Sequence, residues 1–123
     1  MPKGQLEHAN ITVSDPERSS ALLQALCGWS ERWRGPSQMG GWTIHVGSAD
    51  AYVALYTDGA RARHFTKGLP LNHLGLVVDD LDEAEQVIVA AGLKSFGHDD
   101  YDPGRRFYFF DWDHIEFEVV AYG

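Results

Sequence analysis

An internal repeat limits the folds open to this chain more than any other feature of its sequence. Residues 6–15 read LEHANITVSD and residues 71–80 read LNHLGLVVDD, so His8 corresponds to His73 at an offset of 65 positions. Small and apolar residues then recur at i, i+3, i+4 and i+7 in both copies, the pattern of an amphipathic helix. The chain has 123 residues, about the length of one domain. We therefore expect a single domain built from two copies of one supersecondary unit.

Each copy is expected to contain one helix after its first strand. The periodic residues predict helices over Pro16–Cys27 and Leu81–Ala91. An aspartate before each helix can cap its first N–H groups, and a glycine after each helix can adopt the left-handed conformation that ends it. The capping candidates are Asp15, which precedes Pro16, and Asp79 or Asp80, and the terminating glycines are Gly28 and Gly92.

Segments rich in aromatic and β-branched residues, bounded by Gly or Asp, predict strands after each helix. The longer segments cover residues 41–46, 51–56, 106–110 and 114–120, and shorter strands are expected near 31–34 and 94–97. The chain then consists of two β-α-β-β-β modules, residues 4–57 and 71–122, joined by a polar linker over residues 58–70. The expected fold class is α+β, with the modules forming a curved mixed sheet around a ligand-binding cup.

Parity assigns an apolar face and a mixed face to the predicted strands, because side chains alternate across a strand. In the first strand Ile11 lies opposite to His8, and His73 holds the equivalent position in the second copy. In the last strand Phe117 lies opposite to Glu118. We expect the apolar faces to pack under the helices and the mixed faces to line the cup.

The paired modules resemble the vicinal oxygen chelate superfamily, which includes glyoxalases, bleomycin-resistance proteins and extradiol dioxygenases. The segments that carry the resemblance are LEHANITVSD, LNHLGLVVDD and FYFFDWDHIEFEVV. The last is similar to the family's Asp-Pro-Asp-Gly turn, which precedes a strand with a ligand glutamate. This chain differs there, because Trp112 replaces the proline and His114 replaces the glycine. The resemblance covers nearly the whole chain.

The resemblance implies a metal site with His8, His73 and Glu118 as ligands. Glu116 lies on the same face and becomes the ligand if the strand register slips by two residues. Alignment of the modules sets His45 over Phe109 and places Ala54 at the position of a fourth ligand, where a methyl group cannot coordinate. Two histidines and one carboxylate leave coordination positions open and form the ligand set of non-heme Fe(II) oxygenases. A divalent metal is expected, with Fe2+ or Mn2+ favoured and Zn2+ or Ni2+ as alternatives.

Three further side chains are candidates for chemistry in the cup. Tyr52 and Tyr56 share the mixed face of their strand, and Tyr56 can donate a hydrogen bond or a proton to a bound oxyanion. His45 is a candidate acid or base, although the parity of its strand is ambiguous because Trp42 contradicts a clean polar face. A group of basic residues could hold an anionic substrate group: Arg61, Arg63, Lys67, Arg105 and Arg106.

The composition restricts the partners of the protein. Its 18 acidic and 10 basic residues give a formal net charge of −8, whereas nucleic-acid binding needs a basic surface. No apolar run approaches the ~20 residues that cross a bilayer, and Cys27, the only cysteine, cannot form an intrachain disulfide. We expect a cytoplasmic protein that binds a small-molecule substrate, with no nucleic-acid partner and no membrane partner.

A homodimer is expected because one module supplies only part of the proposed ligand set. Short chains of the superfamily commonly dimerise, and the cup can be built by one chain or shared between two. Trp33, Trp112 and Tyr122 are candidate interface residues, because Trp and Tyr are enriched at such contacts.

The resemblance implies a small metal-dependent enzyme whose substrate chelates the metal through two oxygens. A dioxygenase, an isomerase and a lyase all remain open. The alternative is a non-catalytic protein that sequesters a ligand, as the bleomycin-resistance proteins do. A third interpretation is a fosfomycin-type transferase, which shares the ligand pattern.

Overall fold

The computed structural model describes residues 2–38, 40–59, 65–101 and 104–122. Two of the basic residues considered above, Arg61 and Arg63, lie outside these ranges. The elements follow the order β1 His8–Thr12, α1 Pro16–Cys27, β2 Ser30–Pro36, β3 Trp42–Gly47, β4 Tyr52–Thr57, β5 Leu74–Val77, α2 Leu81–Ala90, β6 Ser95–Tyr101, β7 Gly104–Phe110 and β8 Glu116–Tyr122.

Each module forms its own four-stranded mixed sheet. The strand orders are β1-β4-β3-β2 and β5-β8-β7-β6, so both modules have the same topology. The first strand of each pairs in parallel with the last, and the other pairs are antiparallel. The predicted α+β class and the two β-α-β-β-β modules are confirmed. Among the described residues the chain separates into two compact units, residues 1–24 with 28–61 and residues 25–27 with 62–123.

The helices form where the capping residues predict them. The Asp15 side chain accepts a hydrogen bond from the Arg18 N–H at 3.2 Å, and Gly28 ends α1 in the left-handed region with φ 68°. Asp80 rather than Asp79 caps α2, which ends at Ala90, one residue earlier than predicted. In the described part of the chain, neither helix has the length and apolar character needed to cross a membrane.

The core of each unit is made by one face of its sheet, and in β1, β4, β5 and β8 this is the face that parity predicted. In the first unit these buried side chains are Ile11, Val13, Ile44, Val46, Val53 and Leu55; in the second they are Leu76, Phe107, Phe109, Phe117 and Val119. Helix α2 packs on β6, β7 and β8 through Leu81, Ala84 and Ile88. The opposite face of each sheet is thereby left to polar and aromatic side chains.

The last strand begins two residues later than expected, at Glu116 instead of His114. The Asp111 carboxylate accepts hydrogen bonds from the N–H groups of Asp113 and Ile115, both at 2.9 Å. His114 adopts φ 62° inside this turn, a conformation that a strand excludes. A side chain therefore satisfies the backbone of the turn before the sheet hydrogen bonds of β8 begin.

The register of the third strands also differs from the sequence alignment. His45 pairs with Ala54 in the first sheet, and Tyr108 pairs with Glu118 in the second. His45 therefore corresponds to Tyr108, whereas the alignment had placed it over Phe109. The correspondence of Ala54 with Glu118 is confirmed, because Asn10 pairs with Ala54 as its repeat partner Gly75 pairs with Glu118.

Candidate metal centre and the faces around it

His73 and Glu118 meet on the open face of the second sheet. His73 Nε2 lies 3.1 Å from Glu118 Oε1, although 45 positions separate the two residues in the chain. His73 Nδ1 lies 2.8 Å from Asn72 Oδ1. An amide oxygen only accepts hydrogen bonds, so Nδ1 is the donor to Asn72 and Nε2 is the nitrogen directed at the carboxylate. The predicted partnership of His73 and Glu118 is thus present in the geometry, and their role as metal ligands stays a prediction.

Glu116, the alternative ligand, lies on the other side of the same imidazole. Its Oε2 is 3.8 Å from His73 Nδ1, and its Oε1 is 2.9 Å from Lys67 Nζ. The side chain of Glu116 is buried, with 4% of its surface exposed. Since Nδ1 is engaged by Asn72, Glu118 rather than Glu116 is the carboxylate nearest the other ring nitrogen, Nε2.

We define the His73 cluster as Lys67, His73, Arg106, Glu116 and Glu118. Arg106 is its second cation, after Lys67. Arg106 Nη1 donates to Glu118 Oε2 at 2.8 Å, and both side chains are largely buried. Its neighbour Arg105 is exposed and forms an ion pair with Asp82 at 3.3 Å. Of the basic residues predicted to hold an anion, Lys67 and Arg106 therefore neutralise carboxylates of the cluster.

His8 is held in the first unit as His73 is held in the second. His8 Nδ1 lies 2.8 Å from Glu7 Oε1, and a carboxylate accepts this hydrogen bond, which leaves Nε2 as the nitrogen for a metal. Residues that hold the second ring nitrogen of a ligand histidine are typical of metal sites. Glu7 and Asn72 were not predicted, although the repeat carries the signal: a polar residue precedes the histidine in both copies.

An aromatic row crosses the open face of the first sheet. The ring of Tyr52 stacks on His8 at 4.8 Å and on His45 at 4.6 Å between ring centroids, and Trp33 follows His45 at 5.0 Å. The guanidinium of Arg32 lies 4.5 Å from the centroid of Tyr52. The ambiguous parity of His45 is resolved by its pairing with Ala54: the imidazole lies on the same face as His8.

The pKa of His45 lies below its ordinary value. Burial is the largest cause, because it disfavours the charged imidazole. The positive potential of His8 and Arg32 lowers the pKa of His45 further, while Glu7 acts in the opposite direction. His45 is therefore neutral at pH 7 and able to accept a proton.

Tyr56, the other predicted catalytic residue, lies at the far end of the same face, paired with Thr12 and Thr43. Gly41 has φ 82° and packs closely against the ring of Tyr56. A Cβ atom at position 41 would lie 2.7 Å from this ring. Only glycine fits this backbone conformation and this close approach. Ala54, two residues earlier in the strand, is buried.

The open face of the second sheet carries a matching set of rings. Phe96 stacks on Tyr108 at 5.9 Å and on Phe110 at 5.3 Å, and Tyr108 contacts His73 edge to face at 6.0 Å. Tyr108 therefore occupies the position that His45 holds in the first sheet. Both units thus place a histidine beside an aromatic surface.

Two further side chains with reactive groups, His98 and Cys27, take no part in these faces. His98 is bound to Glu85 at 2.7 Å and is exposed, and burial raises the pKa of the Cys27 thiol to about 12. Among the residues described within each unit, no three His, Cys, Asp or Glu side chains form a group able to hold a metal. Each unit contributes at most part of the predicted ligand set.

The chain matches the family model of the Glyoxalase/Bleomycin resistance protein/Dioxygenase superfamily over residues 7–109. It belongs to this superfamily. The match covers both histidines of the repeat and extends through most of β7, ending before β8 and Glu118. The predicted superfamily is thereby confirmed.

Solved structures of the same fold align with nearly the whole chain. A glyoxylase/bleomycin resistance protein/dioxygenase domain from Frankia sp. EAN1pec has a TM-score of 0.83 and 23% identity, covering 99% of this chain and 100% of that one. The fosfomycin resistance protein FosX from Mesorhizobium loti has a TM-score of 0.74 and 23% identity, with 98% and 92% covered. A variant of FosX from Listeria monocytogenes, crystallised with Mn(II) and 1S,2S-dihydroxypropylphosphonic acid, has a TM-score of 0.76 and 20% identity, with 100% and 93% covered. Curated proteins gave no significant match.

Proposed function

We propose that this superfamily member is a small metal-dependent enzyme whose substrate binds the metal through two oxygens. His73 and Glu118 would hold the ion together with His8. The observation that carries the proposal is the pair formed by His73 Nε2 and Glu118 Oε1, 3.1 Å apart. Two ligands that each lie ~2.1 Å from one ion are about this far from each other when they meet at a right angle. The donor set, an imidazole nitrogen and a carboxylate oxygen, therefore fits a divalent metal.

The side chains before the two histidines support the same role. Asn72 and Glu7 each occupy Nδ1 of the following histidine at 2.8 Å. Nε2 would then be the ligating nitrogen in both modules, and two histidines with one carboxylate would leave positions open for substrate or dioxygen. Mn2+ is the first metal to test, because FosX from Listeria was crystallised with Mn(II).

A bound divalent ion would supply Lewis acidity to the chelated oxygens. The chain itself supplies the groups that move protons and exclude water. His45 is neutral at pH 7, because its pKa is lowered, and it can take a proton from the substrate. The Tyr56 hydroxyl can donate a hydrogen bond to a developing oxyanion. The ring of Tyr52, which stacks on His8 and His45, would exclude water from the substrate.

Metal analysis of tag-free protein tests the proposal directly. We expect the wild type to bind one Mn2+ per predicted site in calorimetric titration, and the variant His73→Ala to lose stoichiometric binding. His98→Ala is the matched control, because His98 is exposed and paired with Glu85. A wild type that binds no divalent metal, or a His73→Ala variant with full metal content, would contradict the proposal.

We propose that the protein works as a homodimer. The ligand set is divided between the modules, and Trp33 and Tyr122 expose large apolar surfaces. Sedimentation should give twice the mass of 13.7 kDa at micromolar concentration. If the cups are shared between chains, mixing His8→Ala and His73→Ala subunits restores one intact site per heterodimer. If each chain builds its own cup, mixing restores none, and a monomer in sedimentation would refute the dimer.

A second candidate is a protein that sequesters an aromatic ligand without catalysis. The aromatic row favours it, because Trp33 is about half exposed at the open end of a stack of rings. The two functions differ in their need for metal. Binding of a planar dye, measured by the fluorescence of the dye, would be unchanged by EDTA. Turnover by the proposed enzyme would stop when EDTA removes the metal.

A further inference from the structure

We infer that Arg106 is a positioning residue that restricts Glu118 to one-oxygen coordination of a metal. Arg106 would stay hydrogen-bonded to Oε2 of the Glu118 carboxylate, while Oε1 would coordinate the ion beside His73. This inference deepens the proposed function and rests on it. It concerns the number of ligand oxygens and the charge at the site, neither of which follows from the ligand set alone.

The division of the carboxylate is visible in its two contacts. Oε1 of Glu118 lies 3.1 Å from His73 Nε2, and Oε2 lies 2.8 Å from Arg106 Nη1. A charge-assisted hydrogen bond of this length is among the strong ones in proteins. A metal that needs both oxygens would have to displace the guanidinium, whereas a metal that needs one oxygen leaves the bond to Arg106 intact.

The sheet register makes this contact a built feature. Tyr108 pairs with Glu118, and Arg106 pairs with Val120, so Arg106 is the diagonal neighbour of the carboxylate on the same face. Diagonal neighbours on one sheet face lie within reach of long side chains. The side chains of Arg106 and Glu118 expose only 12% and 15% of their surface. Their ion pair is therefore screened by water less than a surface pair.

The charges around His73 are already balanced by the protein. Lys67 pairs with Glu116 at 2.9 Å, and Arg106 pairs with Glu118 at 2.8 Å, so the formal charges of these four side chains cancel. A dication that approaches Glu118 meets a ligand whose charge is partly neutralised and a guanidinium of its own sign. Arg106 should thus lower the affinity for metal while it keeps a coordination position open for substrate.

Replacing Arg106 separates charge from hydrogen bonding. The variant Arg106→Gln keeps a donor and loses the charge, and Arg106→Met loses both. Loss of a residue that supports a metal ligand typically lowers affinity by about 10–100-fold, and because the charge of Arg106 opposes the ion we expect the opposite sign here. We expect Mn2+ to bind about 10-fold more tightly to both variants, measured by electron paramagnetic resonance of free Mn2+. In Arg106→Met the freed oxygen should also bind the ion, so water-proton relaxation should report one water fewer on Mn2+.

Two controls make the result specific. Arg105→Gln removes the adjacent exposed arginine and should leave affinity and relaxation unchanged, and Arg106→Lys keeps the charge and should stay near the wild type. Circular dichroism establishes that each variant is folded, and Arg106→Gln carries the test if Arg106→Met is not. A wild type without Mn2+ binding defeats the proposed function and this inference together. Normal binding by the wild type, with unchanged or weaker binding by Arg106→Gln, overturns the inference alone.

Discussion

The turn before β8 should be the most sensitive point of the second unit. The Asp111 carboxylate is buried and accepts two backbone hydrogen bonds, from Asp113 and Ile115, at 2.9 Å each. Asp111→Ala leaves two N–H groups without this acceptor, at about 1–3 kcal/mol each. The unfolding free energy should therefore fall by about 2–6 kcal/mol. Asp111→Asn retains an oxygen but loses the charge, and should cost about 1–2 kcal/mol, since hydrogen bonds to charged groups exceed neutral ones by about 1 kcal/mol.

Urea denaturation followed by circular dichroism measures this difference. With a slope of about 2 kcal/mol per molar urea, the midpoint for Asp111→Ala should fall by about 1–3 M. Asp50→Ala is the matched control: Asp50 is an exposed aspartate in the β3–β4 turn, where Ser48 Oγ instead accepts the backbone hydrogen bonds. It should change stability by less than about 0.5 kcal/mol. An Asp111→Ala protein as stable as the control would show that the carboxylate does not hold the turn.

Three further predictions follow from single side chains. Cys27 should react slowly with a thiol reagent at pH 8 until the protein is unfolded, because burial raises its pKa to about 12; rapid labelling of the native protein would contradict this. His45 should titrate below pH 6.5 in NMR spectra, because its pKa is lowered. The stability that it contributes should be full above pH 6.5 and should be lost as pH falls through this lowered pKa. His45→Gln should remove this part of the pH dependence. Ala54→Glu adds a carboxylate at the position equivalent to Glu118, so Mn2+ affinity should rise and the melting temperature fall, whereas Ala54→Gln should show only the lower melting temperature.

The helices could be predicted from sequence because local rules decide them. Asp15 and Gly28 act within a few residues of the helix ends, and the bounds of α1 agree with the prediction. The repeat gave the module topology for a related reason: the same pattern occurs twice and restricts the assignment. The predicted start of β8 was wrong because the Asp111 side chain satisfies backbone groups further along the chain. Neither strand parity nor strand propensity reveals such hydrogen bonds.

Part of the geometry around His73 could be predicted from the sequence, while the role of these residues as ligands stays a prediction. The repeat offset of the histidines placed His8 and His73 at equivalent positions, and the pairing of β5 with β8 brings Glu118 to His73. The ion pair of Glu118 with Arg106 could not be predicted, because it depends on the register between β7 and β8. The alignment placed β7 one residue out, which turns a cross-strand neighbour to the opposite face.

The contact between Trp33 and His45 has a consequence for spectroscopy. An excited indole transfers an electron more readily to a protonated imidazole than to a neutral one, so a neighbouring histidine modulates its emission. Trp33 lies 5.0 Å from His45 at a tilt of 51°, and this imidazole resists protonation at neutral pH. The chain therefore contains an intrinsic fluorophore whose brightness follows the protonation of one imidazole. Acidification, or an anion bound beside His45, should dim its emission without any added label.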